Sequence, residues 1–175
     1  MEPTRADALA TLQDGDRRLT ELLAGLSSEE LVRGATIGGG DWSAKDLIGH
    51  IAFWEEIALA TIDPWLRGER PPIEETFTGG DADALNAWNQ DRKRSWSVER
   101  VRATSGETHR RLIAAIEGMT PEGWALPRAF PDDDDASDLA SELGAVLGAP
   151  GRPFGHAFAH VPDLEAYVAG LRRSD

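Results

Sequence analysis

Cysteine is absent from this chain. No disulfide can form, no thiolate can ligate a metal, and any thiol chemistry needs a thiol brought by another molecule. This usage fits a reducing compartment, and a cytoplasmic location is expected. Long apolar runs are missing too. None approaches the roughly 18 residues that a membrane span needs, so no membrane partner is expected. The first residues show no basic segment followed by an apolar one, so no signal peptide is read. Basic residues are outnumbered, 18 Lys and Arg against 31 Asp and Glu, for a formal net charge of −13. A phosphate backbone would be repelled by such a surface, which argues against a nucleic-acid partner. Histidine is scarce, with four in 175 residues, and so is tyrosine, with one; tryptophan is not, with six.

What is present is helical periodicity. Thr4 and Asp7 form a capping-box pattern ahead of leucines at 9, 12, 19, 22, 23 and 26, which predicts a helix over roughly 4–25. Ser27 caps a short turn, and Gly38-Gly39-Gly40 reads as a flexible break. Ser43, with Asp46 three residues on and Trp42 and Leu47 as a hydrophobic staple, opens a second helix. That helix is expected to end near Ile62, ahead of Asp63-Pro64. Residues 64–82 read as a connection and Asp83 to about Arg94 as a short polar helix. Val101, Leu112, Ile113, Ile116 and Met119 mark a third long helix from Ser97. Thr120-Pro121 starts a short one. Asp132-Asp133-Asp134-Asp135 reads as a solvated acidic loop. Asp138 to Leu147 is a short helix. A last long helix is expected from Pro153 to about Arg172, with Pro162 inside it. Nothing alternates like a strand. The expected fold is all-α, a single four-helix bundle domain over residues 1–175 with two or three short extra helices.

His156 and His160 are four residues apart, about 40° apart around a helix and one turn apart along it, so one face can offer both imidazoles to one ion. His50 lies on the apolar face of a different long helix. A bundle can gather the three at one end, leaving an open coordination position for water or substrate. A histidine on an amphipathic face is more often an ordinary core residue, but three of the four histidines here fall at compatible places. His109, beside Arg110 and Arg111, reads as solvated surface. Glu55, Asp163 and Tyr167 are the candidates for supporting or catalytic roles, with a solvated face and a helix-start acid as the ordinary readings of the first two. Trp54 and Phe158 are candidates for the pocket wall.

The stretch Trp42-Ser43-Ala44-Lys45-Asp46-Leu47-Ile48-Gly49-His50-Ile51-Ala52-Phe53-Trp54-Glu55, together with His156-x-x-x-His160 and the following Pro162-Asp163-Leu164, resembles the DinB-like superfamily and, more narrowly, its ClbS/DfsB group. The resemblance implies a four-helix bundle, a homodimer, and a divalent metal ion (zinc, nickel or iron) on His50, His156 and His160. The three histidines, the tryptophan count and the resemblance together leave two functions. The first is a metal-dependent enzyme acting on a small electrophile, of the thiol S-transferase or hydrolase type, with a low-molecular-weight thiol as co-substrate. The second is a non-catalytic protein that binds or sequesters a small molecule in a Trp-lined pocket. The long connection over 63–97 is a departure expected to reshape the pocket mouth.

Overall fold

The computed structural model describes residues 4–38, 40–72, 82–130 and 137–173. The acidic run at 132–135 and the middle of the 64–82 connection lie outside these residues. Among them there are eight helices and no strand, only three isolated bridges. The helices are α1 (Arg5–Leu23), α2 (Ser28–Val32), α3 (Ala44–Leu66), α4 (Ala82–Lys93), α5 (Val98–Glu117), α6 (Pro121–Trp124), α7 (Leu139–Val146) and α8 (His156–Arg172). Four long ones, α1, α3, α5 and α8, make the bundle, as the periodicity predicts.

The start signals act as read. The Thr4 hydroxyl accepts from the Asp7 amide at 3.1 Å, and the Asp7 carboxylate accepts from the Thr4 amide. Ser43 and Asp46 repeat this at the head of α3, where the Asp46 carboxylate accepts from the Ser43 amide at 2.9 Å. Each box satisfies amides that would otherwise lack partners at a helix start.

Two boundaries differ from expectation. Helix α3 runs through Pro64 to Leu66. Trp65 is the reason: it is 1% exposed, donates its Nε1 to the Leu126 carbonyl at 3.0 Å and packs edge-on to Phe130. Burying a tryptophan removes about 150–250 Å² from water, on the order of 4–6 kcal/mol at about 25 cal/mol per Å². That exceeds the roughly 3 kcal/mol that an interior proline costs a helix. Helix α8 begins at His156 and not at Pro153. Phe154 takes a φ of +59°, buries its ring against Trp124 and so breaks the helical path just upstream. Beyond that start, α8 continues unbroken through Pro162.

The core divides in two. One apolar cluster gathers Leu12 of α1, Ala58 and Ile62 of α3, Leu112 and Ile116 of α5, and Phe154 ahead of α8. The other gathers Leu19, Leu47, Ile48, Val101 and Leu164 from the same four helices. Between them three of the long helices carry buried or half-buried polar groups: His50 and Glu55 on α3, Thr108 and His109 on α5, and His156 and His160 on α8, with the exposed Asp16 of α1 at the edge. Helix α1 comes close to α8 at this level through Gly15, where an added Cβ would lie 2.9 Å from the Ala157 Cβ.

Leu112, fully buried in the first cluster, tests the packing. Replacing it with alanine should cost about 2–5 kcal/mol of unfolding free energy, read by urea denaturation as a lower midpoint at unchanged slope.

Candidate metal centre between the two core clusters

The three predicted histidines converge. His50 Nε2 and His156 Nε2 are 3.0 Å apart, and His160 Nε2 is 3.3 Å from His156 Nε2. Possible ligand atoms of the three residues all lie within 4.8 Å of one another. The sequence reading placed them at one end of the bundle; the structure places them between the two apolar clusters. They line a cavity of about 600 Å³. Two of the three spacings match those around a divalent ion. Metal–nitrogen bonds of about 2.0–2.1 Å put neighbouring nitrogens about 2.9 Å apart at a right angle and about 3.4 Å apart at the tetrahedral angle.

The electrostatics agree with that fit. Burial, then the neighbouring His156 and His160, hold His50 down at about 2. Burial, then His160, lowers His156 to about 4. Burial lowers His160 as well, with the nearby Asp163 carboxylate acting the other way. All three imidazoles are therefore neutral near pH 7, the state in which a ring nitrogen can ligate a metal.

Trp54 lines the cavity as expected, its Nε1 donating to Asn86 Oδ1 at 3.1 Å. Trp42 joins it, its ring centroid 4.7 Å from that of His50; the sequence suggested only its stapling role. Asp163 lines the cavity too, seven residues and so about 20° around α8 from His156. Helix α4 supplies Asp83 and Asn86 to the mouth. It is fastened to α3 by two buried donors on one carbonyl, Asn89 Nδ2 at 3.2 Å and Lys93 Nζ at 2.9 Å from Gly49 O. Lys93 also reaches Glu56 at 3.3 Å.

Other expectations need correction. Phe158 is not among the residues lining the cavity. Two residues beyond His156 it points about 200° around the helix, packs over Gly15 and carries the Arg152 guanidinium 3.5 Å above its ring centre. Tyr167 shares the face of His160 but sits seven residues further along, about 10 Å down the axis. Its hydroxyl donates to the Glu30 carbonyl at 2.8 Å. Glu55 does not face solvent or the mouth. It is 5% exposed, and its carboxylate lies 2.7 Å from His109 Nδ1. His109 is correspondingly no solvated residue, its side chain 12% exposed. A signal for it exists: His109 falls three residues before the fully buried Leu112, on the inward face, and the two following arginines mask that phase. Burial pushes the Glu55 carboxyl up, against the pull of His109. Burial pulls His109 down, but the Glu55 bond and charge, with Asp16, outweigh it and raise it.

Comparisons with known proteins agree with the fold. A family model described as the DinB superfamily matches residues 11–161. No curated protein sequence matches the chain. An uncharacterised protein from Escherichia coli UTI89 superposes with a TM-score of 0.76 at 14% identity, covering 97% of this chain and 95% of that one. A mutant of the mycothiol-dependent maleylpyruvate isomerase gives 0.65 at 16% identity; the match covers 92% of this chain and 60% of the isomerase. The colibactin self-resistance protein ClbS, solved with double-stranded DNA, gives 0.60 at 15% identity over 97% and 94%. At these identities the likeness speaks for the fold alone. The family match spans most of the sequence, including all three histidines, and the chain belongs to the DinB superfamily.

Proposed function

We propose that the chain is a metal-dependent enzyme that acts on a small electrophile, with His50, His156 and His160 holding a divalent zinc, nickel or iron ion. The observation that carries this reading is the convergence of three neutral imidazoles at 3.0 and 3.3 Å on the wall of an open cavity. A metal held there would supply Lewis acidity, lowering the pKa of a bound water or thiol. The residues of the chain do the rest. Helices α3 and α8 hold the three nitrogens in register. Trp42 and Trp54 screen the site from bulk water on one side and offer aromatic surface to an apolar substrate. Since the chain has no cysteine, a thiol-transfer reaction would use a free low-molecular-weight thiol. The isomerase among the similar structures is mycothiol-dependent by name, which supports that branch. A homodimer belongs to the same reading and is checked by solution mass.

The second reading is capture without turnover. The tryptophan-walled cavity supports it, as does the likeness to a self-resistance protein. That protein's complex with DNA is a fact about that protein; a net charge of −13 argues against the same partner here. No helix among the described residues is long and apolar enough to cross a membrane.

Protein purified without a metal-affinity tag should contain close to one equivalent of divalent metal by elemental analysis, and the triple alanine variant at positions 50, 156 and 160 essentially none. Metal well below one equivalent, equal in both, would end the metal reading. With model electrophiles and glutathione, bacillithiol or mycothiol, the enzyme reading expects product in excess of protein; product that stops at one equivalent favours capture.

The lowered pKa values also set a pH dependence. Ordinary imidazoles near 6.5 would begin to lose metal to protons below that pH. Here zinc affinity, measured by chelator competition, should begin to fall at a lower pH than that, and fall further towards pH 4, where His156 titrates. Stability of the metal-free protein carries the matching sign. The unfolded chain takes up protons near 6.5 that folded His50 and His156 refuse. Stability therefore falls as the pH drops from 6.5 towards 4, by about 1.4 kcal/mol per unit for each imidazole.

A further inference from the structure

Behind the metal centre lies a second, much smaller cavity. It offers about 20 Å³ to the centre of a water molecule and is lined by carbon except for Asp16, Glu55 and His156. About 10–15 Å³ suffices for one water if two to four polar partners face it. His156 alone lines both this cavity and the open one. Its Nε2 is committed to His50 and His160, and the other ring nitrogen points away from them. That Nδ1 is buried with no protein partner.

The histidine contacts favour one placement of the proton and leave the resulting N–H to be satisfied elsewhere. His156 Nε2 is the shared member of both short contacts. One N–H cannot serve two acceptors well, but one lone pair can face two donors. His156 Nε2 is best as the acceptor, with His50 and His160 donating. The proton of neutral His156 then sits on Nδ1, where a buried N–H without an acceptor costs about 1–3 kcal/mol. A ligating imidazole ordinarily donates its second N–H to a carboxylate, a carbonyl or water.

We propose that Glu55 is a positioning residue for His156, acting through one water held in this cavity. The water accepts from His156 Nδ1 and donates to the Glu55 carboxylate, with Asp16 as its second acceptor. His109 holds the far side of the carboxylate at 2.7 Å and fixes its orientation. The unit fixes His156 in the tautomer whose Nε2 lone pair faces the centre. Its consequence for metal affinity rests on the metal reading above; its consequence for the tautomer does not.

The test uses the full chain without metal, with histidine nitrogens followed by ¹⁵N NMR near pH 7. In the wild type His156 should show the Nδ1–H tautomer. Glu55→Leu with His109→Leu removes both polar partners together, so no buried charge is stranded. Leu12→Phe leaves every polar group in place and fills the cavity with carbon, covering the case in which the double variant fails to fold. Either variant should abolish the single-tautomer signature. Zinc affinity by chelator competition should fall about 10–100-fold in both. Glu55→Gln, which keeps an acceptor oxygen, should stay within a few-fold of the wild type in both readouts. An Nε2–H tautomer in the wild type, or the same tautomer in wild type and folded variants, overturns the proposal. A wild type that shows the tautomer and its loss but takes up no zinc would leave the water link standing and overturn the metal reading instead.

Discussion

A four-helix bundle whose polar side chains meet at one level has to satisfy them there, and this chain depends on doing so. His50, Glu55, Thr108, His109, His156 and His160 come from three of the four long helices and separate two apolar clusters. Burying such groups without partners costs several kcal/mol each in a protein of ordinary marginal stability. The structure meets the cost in three ways. The histidines stay neutral, the Glu55 carboxylate is bonded to an imidazole, and the Thr61 hydroxyl, just beyond, donates to the Ile57 carbonyl one turn back at 3.0 Å. The apolar clusters on either side fix the helices closely enough for the polar atoms to meet.

The same layer divides into two halves of different character. On the side of the open cavity the imidazoles are gathered and kept neutral, which suits a cation. On the closed side the Glu55 carboxylate and the His109 imidazole are bonded to each other. His156 belongs to both, one ring nitrogen in each. Its position follows from the start of α8, set by the φ of +59° at Phe154, and from Gly15, which lets α1 approach α8 at that level. Local backbone geometry thus decides where a chemically important imidazole is aimed.

Much of the architecture could be read directly. The capping boxes at Thr4 and Ser43 are local chemistry, complete within four residues, and both formed as the residues predict. The four-residue step from His156 to His160 is likewise local, because a helix fixes its own angular spacing. Where reading went astray, a distant partner had overridden the local signal. Pro64 looks like a terminus until Trp65 finds Leu126 and Phe130. His109 looks solvated beside two arginines until Glu55 arrives from α3. Phe158 and Tyr167 share a helix with the site, but angle removes the first and distance the second.

By itself the sequence determined that the chain is helical, where most helices begin, and that His156 and His160 share a face, because these follow from period, caps and the fixed turn of the α-helix. It also determined that no thiol of its own takes part. Only the tertiary structure decided that His50 reaches that pair, that Glu55 turns inward to His109, and that the site lies between the core clusters. Those outcomes depend on how helices distant in sequence pack against one another. Packing of that kind is a property of the whole set of buried side chains, and no single stretch encodes it.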